Sequence, residues 1–463
     1  MGRKLSNSLG LLTIISTVLY TFFITTERSD FFTILIVYSL LFASFYGFIY
    51  LTKLSFNNQI DILPSSWGNW FYGKPVIGGL FITGLVIRLF LLQYTPNLSQ
   101  DFFRFIWDGH QLLNGFNPYL YLPDEIVANS ASHIPNADFL HASMGSLSSG
   151  HFTNYPPLNQ LFFAIASYLG GDSILGTVVW MRVIIILADV GVFIYGIKLL
   201  RLLGKPLWMV LLYYLNPFVI LELTGNLHWE GVMGFLLLAS VYYLFKYSNI
   251  KSAVFMGYAI VLKLLPLITL PLLLKRLWFK KVFIYYIAVL VVIILAFAPF
   301  LSTDLIDKYG ASVGLWFGKF EFNASIYYVV RAIGFEVTGY NIIGVAGKAL
   351  PLISAVIIMV ISLSRKQNQP ETLLESIVLV FFTYLMFSTT VHPWYLVLPL
   401  LFSVFTRYRF MLVWSFMIIQ SYCAYSHPEF QENLWLVGLQ YVVVIGMFLW
   451  DTLSRKRIKS SSD

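Results

Sequence analysis

The chain has 463 residues, 58% of them hydrophobic and only 11% charged. A soluble domain usually carries about 25% charged residues, so the composition excludes an ordinary soluble protein and points to an all-α polytopic membrane protein. The net charge of +8 sits in short loops between apolar stretches, where it reports orientation and gives no reason to expect a nucleic-acid partner.

A helix needs about 20 apolar residues to cross roughly 30 Å of hydrocarbon. In chain order the candidates are 9–25, 31–52, 76–95, 174–199, 206–223, 229–247, 282–301, 342–363, 373–391, 394–406, 411–426 and 433–452. The first lacks a small-residue cleavage site and runs straight into the second, so it reads as a retained helix. Residues 157–170 are too short and begin Pro156-Pro157, which suggests a helix that dips into the membrane. Residues 252–274 are interrupted by Lys263 and Pro266 and flanked by basic residues, which suggests a re-entrant hairpin lining a cavity. The single cysteine, Cys423, excludes an internal disulfide and any cysteine-based metal site. No internal repeat of the transporter kind is evident.

With Arg3 and Lys4 inside, these choices give about twelve crossings. Most of the 30 Lys and Arg then fall inside and most of the 22 acids outside. One membrane domain is expected over 1–463, with an extracytoplasmic catalytic loop at 95–156, a second outer loop at 302–341 and a cytoplasmic tail at 453–463. Five polar clusters land on the outer face, described next in order.

Residues 99–119 read SQDFFRFIWDGHQLLNGFNPY. Asp101, Arg104 and Asp108, spaced i, i+3, i+7, share one helical face, and Gly115 with Asn117-Pro118-Tyr119 ends the helix. One carboxylate could act as a general base, and Arg104 could hold a carboxylate or contact a phosphate; the plain alternative is an interfacial helix with solvated charges. The loop 120–155 carries His133, His141 and His151 at spacings that match no standard metal pattern, so a structured, substrate-covering loop is expected. Tyr155-Pro156-Pro157 gives it a stiff re-entry.

Asn226, His228 and Glu230 sit at a helix–helix turn, where His228 and Glu230 could bind sugar hydroxyls or Asn226 could simply cap. Lys263, a cation at membrane depth, should face a cavity or an anion such as a lipid-linked phosphate, unless it snorkels. Arg182 and Asp189 (i, i+7) could satisfy one another; Arg88 has no evident partner. Phe322-Asn323-Ala324-Ser325 with Arg331, and His392-Pro393-Trp394-Tyr395, combine aromatic and polar groups suited to stacking on sugar rings, or to an aromatic belt. Arg331 and His392 could neutralise a leaving phosphate.

The order and identity of these motifs (D-x-x-R-F-x-W-D-G then N-P-Y at Asp101–Tyr119, Tyr155-Pro156-Pro157 with Gln160, Lys263 with Pro266, Phe322-Asn323, and His392-Pro393-Trp394-Tyr395) resemble the GT-C superfamily of integral-membrane glycosyltransferases that use polyprenyl-phosphate sugars. The resemblance is nearest to bacterial polyprenol-phosphate-mannose-dependent mannosyltransferases. It implies an inverting transfer, with mannose as the leading sugar, in which Asp101 activates the acceptor hydroxyl and basic residues at the cavity wall stabilise the departing polyprenyl phosphate. It also implies a lipid-linked, glycan or protein acceptor, contact with membrane lipids and a plasma-membrane site facing the exterior. Many superfamily members carry an adjacent acidic pair in this loop. Here Gln100 precedes Asp101, so the second acid is Asp108 and a divalent metal cofactor stays open. The expected site comprises Asp101 and Asp108 as catalytic groups, with Arg104, Tyr155, His228, Glu230, Lys263, Asn323, Arg331, His392, Trp394 and Tyr395 binding substrate. The rival readings are a polymerase or ligase of lipid-linked glycans and a lipid or solute transporter.

Overall fold

The computed structural model describes residues 2–57, 75–129, 133–318, 320–427 and 429–460. Among these residues it is all-helical, with no strand and one isolated bridge between Phe322 and Thr390. The all-α membrane architecture expected from composition is therefore met. Among the described residues eight helices are long and apolar enough to cross a membrane: Ser6–Thr25, Phe31–Phe56, Val76–Gln93, Ile174–Leu202, Phe279–Phe300, Ile343–Ser364, Pro370–Phe387 and Leu434–Ser454. A ninth would be Leu207–Tyr214 with Pro217–Gly225, bent by 48°. The bend falls at Asn216-Pro217, where proline ends the first helix and the Asn216 side chain accepts the Phe218 N–H at 3.0 Å to start the second.

The other three expected crossings are helices too, but short: Glu230–Phe245, Pro393–Ser403 and Phe410–Tyr425. Two of them mix α and 3-10 geometry, which hydropathy cannot register. The expected tail continues the Leu434–Ser460 helix, and 461–463 lie outside the described residues.

The chain forms two compact units. The first comprises Met1–Leu98, Ile186–His228 and Arg407–Asp463. Its interior holds a complete ion pair: Arg88 Nε lies 2.8 Å from Asp189 Oδ2 and neither side chain is exposed. The same guanidinium donates to the carbonyls of Gly84 (3.1 Å) and Tyr214 (2.9 Å) and lies 4.3 Å from the Tyr214 ring. Asp189 is thus the partner of Arg88 and not, as its spacing suggested, of Arg182. Seven residues along a helix separate two side chains by about 10 Å of rise, whereas Arg88 arrives from a neighbouring helix at hydrogen-bond distance.

The second unit comprises Ser99–Ile185 and Trp229–Thr406. The expected hairpin at 252–274 is the helix Asn249–Leu262, an extended residue at Lys263 (φ −151°, ψ 139°) and a 3-10 helix, Leu265–Leu274. Asn249–Leu262 packs along Glu230–Phe245 after a three-residue turn, Lys246–Ser248. A helical hairpin of this kind returns the chain to the level at which it began, which sets Lys263 beside Glu230. Pro157–Gly170, with proline at its first turn, is the short helix expected there and packs on Asp101–Leu113. Asn159 Nδ2 joins it to the hairpin by donating 2.7 Å to the Leu262 carbonyl, one of the orphaned acceptors at that helix's end.

The buried pair yields a direct test. Asp189→Ala leaves Arg88 charged and unpaired, a loss of about 3–5 kcal/mol in a buried setting. A clear drop in the thermal midpoint of the detergent-solubilised protein is expected, and an unchanged midpoint would count against the pair as a stabilising element.

Candidate active site

The segment 99–119 folds as a helix, Asp101–Leu113, that begins at its own first acid. Ser99 Oγ accepts the Asp101 N–H at 3.3 Å, and Gln100 Nε2 donates to the Met144 carbonyl at 3.1 Å. Asp101 therefore occupies the first turn, where unpaired N–H groups favour a carboxylate.

The other two charges of the face have a different surrounding. Arg104 Nε donates to Asp108 Oδ1 at 2.7 Å, and its Nη1 donates to the carbonyls of Ser148 (2.6 Å) and His151 (2.9 Å). Asp108 has no exposed surface, and its second oxygen accepts Gln160 Nε2 at 3.1 Å. Gln160 also donates to Thr153 Oγ1 at 3.1 Å. The pair thus ties the helix to the end of the long loop and to Pro157–Gly170. Gly109, next in the chain, lets those two helices meet: a Cβ there would lie 2.4 Å from Ser167 Oγ and 2.6 Å from the Phe163 carbonyl oxygen. The W-D-G triplet is in this respect a packing element.

Among its described residues the loop holds three short helices, Pro123–Ala128, Ala137–Met144 and Ser146–Ser149. Tyr119 of the N-P-Y turn donates 2.8 Å to the Tyr155 carbonyl, and Asn117 Nδ2 donates 3.0 Å to that of Phe300. Each histidine has its own neighbour: His133 stacks on Phe116, His141 pairs with Asp124 at 2.6 Å, and His151 bonds the Leu147 carbonyl. Among the described residues no three His, Cys, Asp or Glu side chains gather as a metal site.

The opposite charge that acts on Asp101 is Lys263. Lys263 is ion-paired with Glu230, which opens the Glu230–Phe245 helix and is 1% exposed against 23% for Lys263. The Lys263 ammonium is 5.9 Å from the centre of the Tyr395 ring. Asp101, partly exposed, responds to both partners: burial drives its carboxyl up to about 6, Lys263 pulls it down and Glu230 pushes it up. Burial first, and then the fields of Asp101 and Glu230, raise the Tyr155 phenol well above its ordinary value. Burial and the neighbouring Lys263 charge lower His392 to about 3, so its imidazole is neutral at pH 7.

His392 instead belongs to a wall of rings. It stacks on Trp394 at 4.5 Å and 4°, meets Phe322 at 5.0 Å and Phe320 at 5.8 Å, and takes Tyr395 edge-on at 5.4 Å. Two motifs distant in sequence are joined here, because the Phe322 N–H donates to Thr389 (3.1 Å) and the Val391 N–H to Phe322 (2.8 Å). Asn323, at a left-handed φ of 46°, donates 3.3 Å from Nδ2 to the Val391 carbonyl.

Asp101, Tyr155, Glu230, Lys263, His392 and Tyr395 thus form one electrostatic group in the second unit, with Trp394 and Asn323 in its wall. Arg331 is engaged differently: it pairs with Glu321 and lies 4.3 Å over the Tyr328 ring, in a network completed by Tyr327 and Asn341. His228 belongs to the first unit, 3.7 Å from Glu222, whose other oxygen accepts the Tyr422 hydroxyl at 2.8 Å. The Glu230–Lys263 pairing escaped sequence reasoning, although two apolar helices joined by three residues, one starting with an acid and the other ending at a base, carry its signal.

Residues 80–279 match the family of alpha-(1->6)-mannopyranosyltransferases, in its N-terminal domain. The match agrees with the GT-C resemblance and gives the chain its enzyme class, a glycosyltransferase of the mannosyltransferase kind. It spans Asp101, Asp108, Tyr155, Glu230 and Lys263 and stops before the ring wall of the transferase. No curated protein matches the chain.

The clamp at Arg104 has a measurable consequence for the transferase. A lysine cannot donate to Asp108 and two carbonyls in one plane, and each lost charged hydrogen bond is worth about 1.5–3 kcal/mol. Arg104→Lys should therefore open the loop and speed proteolytic cutting within 120–155 by about tenfold or more. Equal cutting rates would show that the loop does not depend on the clamp.

Proposed function

We propose that the chain transfers a hexose, with mannose first among candidates, from a polyprenyl-phosphate carrier to a hydroxyl of a lipid-linked, glycan or protein acceptor. In this reading the reaction occurs at the extracytoplasmic face of the plasma membrane, the side on which the distribution of basic loops puts the Asp101 group. One observation supports it: Asp101, a partly exposed carboxylate with a pKa near 6, lies within the electrostatic reach of the Lys263–Glu230 ion pair at the end of a buried helical hairpin.

Asp101 is the general base. It takes the proton of the acceptor hydroxyl as that oxygen attacks the anomeric carbon; the new C–O bond forms while the bond from that carbon to the phosphate oxygen breaks, with inversion. A carboxylate with a pKa near 6 is ionised at neutral pH and still basic enough to receive a proton in the transition state. Lys263 supplies the positive charge opposite the departing polyprenyl phosphate. Tyr155 and the rings of His392, Trp394 and Tyr395 offer an aromatic surface for the sugar. Asp108 and Arg104 act by holding the loop and the helix that carry Asp101. The two carboxylates near Lys263 make a poor set for a divalent ion, because Glu230 is already paired with the lysine.

Two outcomes are expected in proteoliposomes supplied with a polyprenyl-phosphate mannose. Asp101→Asn should lower turnover by about 10²–10⁴-fold, the usual worth of a positioned base, with the thermal midpoint retained; unchanged turnover would remove Asp101 from this role. For the native chain, kcat/KM should be level above the Asp101 pKa of about 6 and fall tenfold per unit below it, as the base takes up its proton. A profile that stays flat down to about pH 5 contradicts a base with that pKa.

A further inference from the structure

Lys263 has a committed partner inside the site it serves. Glu230 is buried at the first turn of its helix, with Oε1 on the lysine ammonium and Oε2, also buried, accepting no hydrogen bond from the described residues. Lys263 is the less buried of the two and stands at the extended residue between an α-helix and a 3-10 helix, on a flexible stem whose ammonium carries three donors. The carboxylate is therefore fixed by the fold, and the ammonium is the member able to turn.

Resting on the Asp101 reading above, we propose that Glu230 is a positioning residue, a built-in counter-ion that competes with the lipid phosphate for Lys263. The logic lies in the charge of the two lipids. The donor is a phosphodiester with a single negative charge, whereas the departing polyprenyl phosphate is a monoester that approaches two. An ammonium half-neutralised by Glu230 attracts the singly charged donor weakly and the developing monoester more strongly, so the attraction grows along the reaction coordinate, where it raises kcat. Once the sugar has moved, Glu230 recaptures the ammonium and the product lipid is released.

The test compares the full-length native chain with Glu230→Gln in liposomes, using polyprenyl phosphate as product inhibitor and as a direct ligand in a thermophoresis titration. Glu230→Gln should bind polyprenyl phosphate about tenfold more tightly, lower the donor KM and lower kcat through slow product release. In the double variant with Lys263→Gln the tightening should vanish. Affinity within twofold of the native chain, or tightening that persists without the lysine, overturns the proposal. A Glu230 that merely supports the fold would lower kcat without tightening the phosphate. If Glu230→Gln does not fold, Glu230→Asp, which keeps the charge but shortens its reach, should give about threefold tightening, and none would be equally decisive against the idea. The titration needs no turnover, so a failure of Asp101 as base, seen as unchanged transfer by Asp101→Asn, is read separately from a failure of this inference.

Discussion

The second unit depends on one carboxylate that never meets water. Asp108 is wholly enclosed, and a carboxyl group in that position is tolerated only when both oxygens are satisfied. Arg104 Nε and Gln160 Nε2 do so, and each brings another part of the chain with it. Through Arg104 come the carbonyls of Ser148 and His151; through Gln160 come Thr153 and the short helix Pro157–Gly170. The next residue, Gly109, removes the Cβ that would have kept the two helices apart. An acid, an amide and a missing methyl group thus lock the helix bearing Asp101 to the loop that follows it. They also explain why two acids on one helical face differ in character: Asp108 is spent on the fold, and Asp101 keeps its carboxylate for other use.

Much of this was legible in the sequence, and the limit of legibility is physical. Helix content, the polar face at 101–108, the short helix at 157–170 and the ordered loop all follow from local periodicity and from the fixed φ of proline. Pairings across the fold do not. Asp189 lies seven residues from Arg182 and 101 from Arg88, yet packing delivers it to Arg88. Periodicity ranks neighbours on one helix and is blind to a second. His392 illustrates another limit, since a histidine in a polar motif invites a cationic role, whereas Phe320, Phe322 and Trp394 around it favour the neutral ring. Its charge is decided by burial and by Lys263, neither of which is written near residue 392. The short helices 393–403 and 410–425 were legible as apolar, but not as mixtures of α and 3-10 turns.

The electrostatics of the Asp101 group follow from its economy of charge. Its acids are Asp101 and Glu230 and its base is Lys263, ion-paired with Glu230, while burial keeps the imidazole of His392 neutral at pH 7 and raises the phenols of Tyr155 and Tyr395. On the proposed reading, a protonated His392 would hold the donor phosphate with a second cation before and after transfer, a uniform stabilisation that slows release without aiding the chemical step. Neutral rings avoid this and supply the flat surface that a sugar needs. Glu230 has two opposing effects in the same arrangement: it moderates Lys263, and its field raises Asp101 towards the range in which a carboxylate is an effective base. On the proposed reading, the basicity of Asp101 and the anion affinity of Lys263 are therefore partly coupled through one side chain, although burial remains the larger influence on Asp101.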